Sequence, residues 1–280
     1  FNIDSKKTCE FIINNTYFKN GFSYNKKTKK KISAIIPVHV WGNAVNFKKL
    51  SFLCRKKNIK IIEDASESLG TFYKRDKFKK KHAGTIGDLG CISFNGNKIV
   101  TAGGGGIIIT DSKVYAKKAH YLINQAKDDP IKFLHNEVGY NYKLTNVQAA
   151  IGLAQLENIS FFLKKKKFIF NYYKSNIEPS DFFKVADTPN YSQNNYWMTM
   201  LEIKDTKKFP INKVLLKMRK NNIECRPVWH LNNKQKPYKG FETYKIQNAN
   251  KKVKNSLCLP SSTSLSKEEL KKIVKIIKTL

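Results

Sequence analysis

The sequence predicts an α/β fold built on a parallel sheet, and three observations carry the prediction. Apolar runs at 34–40 (Ala-Ile-Ile-Pro-Val-His-Val) and 59–62 flank a stretch with helical spacing, which makes a strand, helix, strand unit. The second run delivers two acids, Glu63 and Asp64, at its carboxyl end. A further strand through 89–94 is followed by a single lysine in Ser93-Phe94-Asn95-Gly96-Asn97-Lys98. A carboxylate at one strand's end and a lysine after another match what pyridoxal phosphate requires, since its ring nitrogen seeks an anion and its aldehyde an amine.

Each element has its own signal. Asn46 is expected to cap the first helix, with Phe47, Leu50, Leu53 and Cys54 on one face. Gly103 to Gly106 open a strand at 107–110; a phosphate-cradling glycine loop would open a helix, so a dinucleotide or P-loop site is not expected here. Asp111 is expected to cap a helix over 114–125, with an irregular stretch at 128–130. Thr145 and Gln148 have capping-box spacing ahead of a long helix striped by Val147, Ile151, Ala154 and Ile159. A strand over 196–203 and a helix over 211–221 follow. Ser266-x-x-Glu269 caps a last helix with Leu270, Ile273, Val274 and Ile277 on one face. A boundary near residue 160 is expected to separate a partial cofactor-binding large domain (1–160) from a small C-terminal α+β domain (161–280).

The formal charge of +32 from 53 basic and 21 acidic residues raises the question of nucleic acid. Only four of the basic residues are arginine, and the lysines are spread over every segment, so solvated faces explain the charge better than a phosphate-reading surface. No nucleic-acid partner is expected. Five scattered cysteines without C-x-x-C spacing suggest neither a metal site nor disulfides, and no apolar run is long enough for a membrane. A cytoplasmic protein is expected. Because Phe1 opens the chain without an initiator Met, a missing beginning is expected too.

Five motifs occur in order: Val38-His39-Val40-Trp41-Gly42, Glu63 to Gly70 (Glu-Asp-Ala-Ser-Glu-Ser-Leu-Gly), Gly87-Asp88-Leu89-Gly90, the segment ending at Lys98, and Glu137-Val138-Gly139-Tyr140-Asn141-Tyr142. Together they closely resemble the DegT-type nucleotide-sugar aminotransferases over nearly the whole chain. The resemblance implies the type I PLP-dependent transferase fold, a homodimer when full length, and amino transfer from an amino acid, usually L-glutamate, to a nucleotide-linked keto sugar. It implies that Lys98 carries the cofactor and shuttles the proton. Asp64 would pair with the pyridine nitrogen, Glu67 would sit near the phenolic oxygen, Ser93 would donate to the phosphate, and Asn141 would reach a partner's phosphate. His39 would lie at the active-site wall. Arg226, one of few arginines kept, would fork onto a substrate phosphate or carboxylate.

The stretch from Ile223 to Ser262 most resembles the subgroup making 4-amino-4,6-dideoxy sugars for surface glycans, with perosamine-forming relatives close by. The family's phosphate-binding helix start and its ring-stacking aromatic residue are expected upstream of Phe1, so residues 1–280 alone are expected to bind the cofactor weakly and to show no measurable aminotransferase activity. Rival readings are a sugar dehydratase of the same fold, in which a histidine replaces the lysine, a remnant without chemistry, and a basic nucleic-acid-binding protein.

Overall fold

The computed structural model describes residues 1–129 and 131–280, so one residue of the irregular stretch expected at 128–130 lies outside the described residues. The chain divides into two units: Asn2–Ser160 with Pro189–Asn195, and Phe1 with Phe161–Thr188 and Tyr196–Leu280. Residues 189–195 thus leave the 161–280 stretch and join the first unit.

The first unit holds a four-stranded sheet in the order Ala34–Ile35, Lys60–Asp64, Leu89–Ser93, Gly106–Ile109. The first three strands are parallel, with Ala34 opposite Lys60 and Asp64 opposite Cys91. The fourth returns antiparallel, as a connection over 94–105 with no helix in it permits.

The apolar run at 34–40 does not stay a strand. Pro37 has no N–H to give the ladder, and pairing resumes only as a bridge between Val38 and Asp64. There the Asp64 N–H donates to Pro37 O (3.0 Å) and the His39 N–H to Asp64 O (2.9 Å). Trp41, at φ +52°, then turns the chain through the short 3-10 helix Val40–Gly42. The following helix begins at Leu50 rather than after Asn46, because Asn46 Oδ1 accepts the Lys48 N–H (3.1 Å) and makes a turn instead of a cap. The expected apolar face still forms: Phe47, Leu50 and Cys54 are fully buried in one core with Ile59 and Ile61.

Consecutive strand residues face opposite ways, which separates the two acids. Glu63 is fully buried and Asp64 half-buried. Opposite Glu63 stands Gly90, where any Cβ would lie 1.9 Å from Gly84 O, so only glycine lets the 84–90 turn pack here.

Ser112, accepting the Tyr115 N–H, caps the helix Lys113–Ile123 in place of Asp111. The Thr145–Gln148 capping box is present and opens Asn146–Glu157, which ends at Asn158 before Ile159–Ile177 begins. The expected stripe is not covered within this chain: Val147 and Ile151 are exposed, and Gly152 is the one buried residue of that helix.

The second unit is an antiparallel sheet ordered Arg226–Pro227, Ser256–Leu259, Thr199–Ile203, Phe183–Val185. It shares one core with residues of Ile159–Ile177, Ile211–Lys220 and Lys267–Lys278. Tyr196 sits at φ +54°, outside any strand conformation, so the strand expected from 196 begins at Thr199. Ser266 and Glu269 form the expected capping box, and Leu270, Ile273, Val274 and Ile277 are buried.

Candidate active site

The turn after strand Leu89–Ser93 brings Lys98 back toward the end of strand Lys60–Asp64. Lys98 N–H donates to Asn95 O (3.0 Å), which closes the turn. The Lys98 Nζ lies 3.9 Å from Glu67 Oε1, and both side chains keep little exposure, 14% and 13%. That distance is an ion pair without a direct hydrogen bond. The other Glu67 oxygen, Oε2, accepts the Trp41 N–H at 2.6 Å. The left-handed Trp41 therefore has a use: it aims a backbone donor at Glu67.

Burial pushes the Lys98 amine below its ordinary value, while the charges of Glu67 and Asp64 pull it back up. Burial pushes the Glu67 carboxyl above its ordinary value; the Trp41 N–H and Lys98 oppose this, and Asp64 adds to it. Desolvation outweighs mutual attraction on both sides. The pair is brought toward its uncharged forms, a property typical of proton-handling groups.

Asp64 Oδ1 accepts the Ser66 N–H at 3.1 Å, which fixes the carboxylate at the strand's end. Lys98, Glu67 and Asp64 thus make one electrostatic cluster. Ser93 ends the neighbouring strand, and its Oγ accepts the Asn95 N–H at 3.2 Å. Asn141 is exposed, in a bridge with Asn124. Arg226 belongs to the second unit, where Nε and Nη2 both donate to Glu224 Oε1, at 3.1 and 2.6 Å, on a 78%-exposed side chain.

His39 is a correction. It has no exposed surface, its Nδ1 accepts the Val45 N–H (3.0 Å), and its Nε2 donates to Glu63 Oε2 (2.8 Å). With both nitrogens engaged inside the core it is a structural residue and not a substrate contact. Its partner Glu63 is a buried structural carboxylate that the sequence reading left without a role. Glu63 also accepts N–H groups from Gly84 (2.9 Å), Ile86 and Gly87 (2.6 Å). Burial pushes its carboxyl up most strongly, yet His39 and the backbone donors together hold it below the ordinary carboxylate range. The buried Asn195, whose Nδ2 donates to Glu67 O (2.7 Å), is a second residue beside the cluster that sequence reasoning missed, and no local signal marks it.

Among the described residues no helix is long and apolar enough to cross a membrane. The model of the DegT/DnrJ/EryC1/StrS aminotransferase family matches residues 14–278. A Bacillus subtilis protein named as a pyridoxal phosphate-dependent aminotransferase, EpsN, is 32% identical over 250 residues, which cover 87% of this chain and 62% of that one. The Vibrio cholerae GDP-perosamine synthase is 30% identical over 254 residues, covering 90% of this chain and 68% of that protein. The chain therefore spans a little over three fifths of the Bacillus relative's length. A crystal structure of a DegT DnrJ EryC1 StrS aminotransferase from Brucella abortus superposes with a TM-score of 0.85 at 19% identity, covering all of this chain and 70% of that one. This likeness shows the fold: the α/β architecture of that aminotransferase class.

Proposed function

The chain belongs to the DegT/DnrJ/EryC1/StrS aminotransferase family, and from that premise we propose that it works as a pyridoxal phosphate-dependent nucleotide-sugar aminotransferase. The observation that carries the reading is the little-exposed Lys98 amine beside Glu67, in the field of Asp64. The donor set fits the cofactor. Lys98 would hold the aldehyde carbon, Asp64 the ring nitrogen, Glu67 the phenolic side, and Ser93 with Asn141 from a second copy the phosphate. When bound, pyridoxal phosphate supplies a carbon that takes up an amino group and a ring that draws electrons from it.

The chain's own residues supply the rest. Lys98, held below its ordinary value, reaches its unprotonated form at lower pH than a solvated lysine, and that form attacks carbon or accepts a proton from it. Glu67, held above its ordinary value, keeps a proton to higher pH than a solvated glutamate, and its Oε1 stands 3.9 Å from the amine. Asp64 contributes a fixed negative charge at the strand's end. Arg226 would fork onto an anionic group of the substrate.

In this reading the amino donor is an amino acid, L-glutamate foremost, and the acceptor a nucleotide-linked 4-keto-6-deoxy sugar destined for surface polysaccharide or glycan. The Vibrio relative's name supports that substrate class. The exposed Val147 and Ile151 on Asn146–Glu157 support a homodimer in the full-length cytoplasmic enzyme, since an unburied apolar stripe seeks a partner. The experiment is an amino-transfer assay of the full-length enzyme with L-glutamate against a panel of nucleotide-linked 4-keto-6-deoxy sugars. Conversion of at least one to its 4-amino product is expected; conversion of none, with the cofactor bound, would refute the reading.

A further inference from the structure

We propose that Asn195 is a positioning residue for the Glu67–Lys98 pair, acting from the 189–195 segment on both loops that fix the Glu67 carboxylate. The inference rests on the reading of Lys98 as the working amine. Its test measures that amine directly, so it can fail while amino transfer stands, or hold while amino transfer fails.

Asn195 is almost wholly buried. Its Nδ2 donates to Glu67 O (2.7 Å) and Leu69 O (2.9 Å), which pins the backbone from which the Glu67 side chain springs. Its own N–H donates to Thr71 Oγ1 (3.1 Å), and that hydroxyl donates onward to Gly42 O (2.7 Å). Gly42 directly follows Trp41, whose N–H grips Glu67 Oε2. The amide oxygen completes the arrangement: a Cβ on Gly42 would lie 1.8 Å from Asn195 Oδ1, so the oxygen occupies the space that any side chain at 42 would need. One amide therefore holds the Glu67 backbone with its nitrogen and packs on the Trp41–Gly42 backbone with its oxygen.

The segment is itself held firmly. Ser192 pairs with Tyr73 and Gln193 with Phe72. Asn194 Nδ2 donates to Asn43 Oδ1 (2.6 Å), and the Tyr191 hydroxyl donates to Ala44 O (2.9 Å). Asn195 is thus presented on a fixed edge, as a positioning group needs to be.

The carboxylates acting on Lys98 are Glu67 and Asp64, and both raise its proton affinity against the effect of burial. Coulomb attraction falls with separation, so a Glu67 that drifts outward leaves Lys98 more readily deprotonated. Merely loosening the fold would instead expose the amine at every pH.

The test is trace acetylation of Lys98 against the exposed Lys27 as a function of pH, read by peptide mapping, in the wild type, Asn195→Ala and Asn195→Asp. Asn195→Asp sets a carboxylate against two carbonyls. In Asn195→Ala the Lys98 midpoint is expected to move down, giving about three-fold more labelling at neutral pH with an unchanged alkaline plateau; in Asn195→Asp the move should be smaller, because the new carboxylate adds its own attraction for the proton. A midpoint that stays put, or labelling that rises alike at every pH, would overturn the proposal. Should Asn195→Asp not fold, Thr71→Val breaks the same chain of donors at Gly42 O and carries the expectation of Asn195→Ala. Gly42→Ala gives a second arm. Its effect on the Lys98 midpoint should be smaller in the Asn195→Ala background, where Oδ1 no longer meets the new Cβ; equal effects in both backgrounds would count against the proposal.

Discussion

The first unit buries a carboxylate, Glu63, and the second buries an amine, Lys166, and the two are satisfied in opposite ways. Glu63 receives three backbone N–H groups and the His39 Nε2–H, and its carboxyl sits below the ordinary range despite full burial. Lys166, on Ile159–Ile177, donates to Trp197 O (2.9 Å) and Ser261 O, and no carboxylate contributes to its state. Burial pushes its amine down to about 8. Carbonyl oxygens hold an ammonium in place, but they do not offset its desolvation as four aimed donors do for a carboxylate. Lys98 lies between these extremes. Burial lowers it and two carboxylates restrain it, which suits a group meant to change its proton rather than to keep or lose it.

The variant that breaks this comparison most completely is Lys98→Ala, which should abolish amino transfer, since no other side chain in the cluster is an amine; an assay retaining activity would remove Lys98 from the mechanism. Glu63→Gln keeps the shape but turns an amide N–H toward groups that are themselves donors. It should destabilise the first unit by about 3–5 kcal/mol, measured by hydrogen exchange at the Gly84, Ile86 and Gly87 amides. The sign with pH follows from the depressed carboxyl. Its stabilisation is present above the unfolded value of about 4.3 and is lost as pH falls through the folded value, so those amides should open first in acid.

Lys166 behaves oppositely. Between about 8 and about 10.4 the unfolded chain holds the proton that the folded chain has released, so the second unit gains stability as pH rises through that window. The gain is on the order of 3 kcal/mol, and the Lys166→Met variant should lack it in urea titrations across that range. Asp64→Asn is the smallest change. It should leave the fold intact and slow amino transfer about 100-fold, because shape remains while the fixed anion is gone; near-normal turnover would reduce Asp64 to a turn-former.

Much of this was legible in the sequence where local chemistry dictates structure. Both capping boxes form as spaced, and the strand carrying Glu63 and Asp64 pairs in parallel on both sides. What escaped depends on backbone angles and long-range closure. Neither Trp41 nor Tyr196 announces a positive φ, because nothing in an aromatic residue favours it. Lys166 sat unmarked in the basic run 164–167, where helical phase alone turns one of four lysines inward. His39 and Glu63 stand 24 residues apart in sequence, and Asn195 reaches Glu67 across 128. No window of local pattern contains either contact.

The decisive measurement uses two lysines: among the described residues burial pushes down the amines of the half-buried Lys98 and the buried Lys166, and of these Lys98 alone stands beside carboxylates. The protein is incubated with pyridoxal phosphate, reduced with borohydride and mapped by peptide. The cofactor label is expected on Lys98, with Lys166 unlabelled. Label on Lys166 or on a surface lysine, with Lys98 bare, would contradict it.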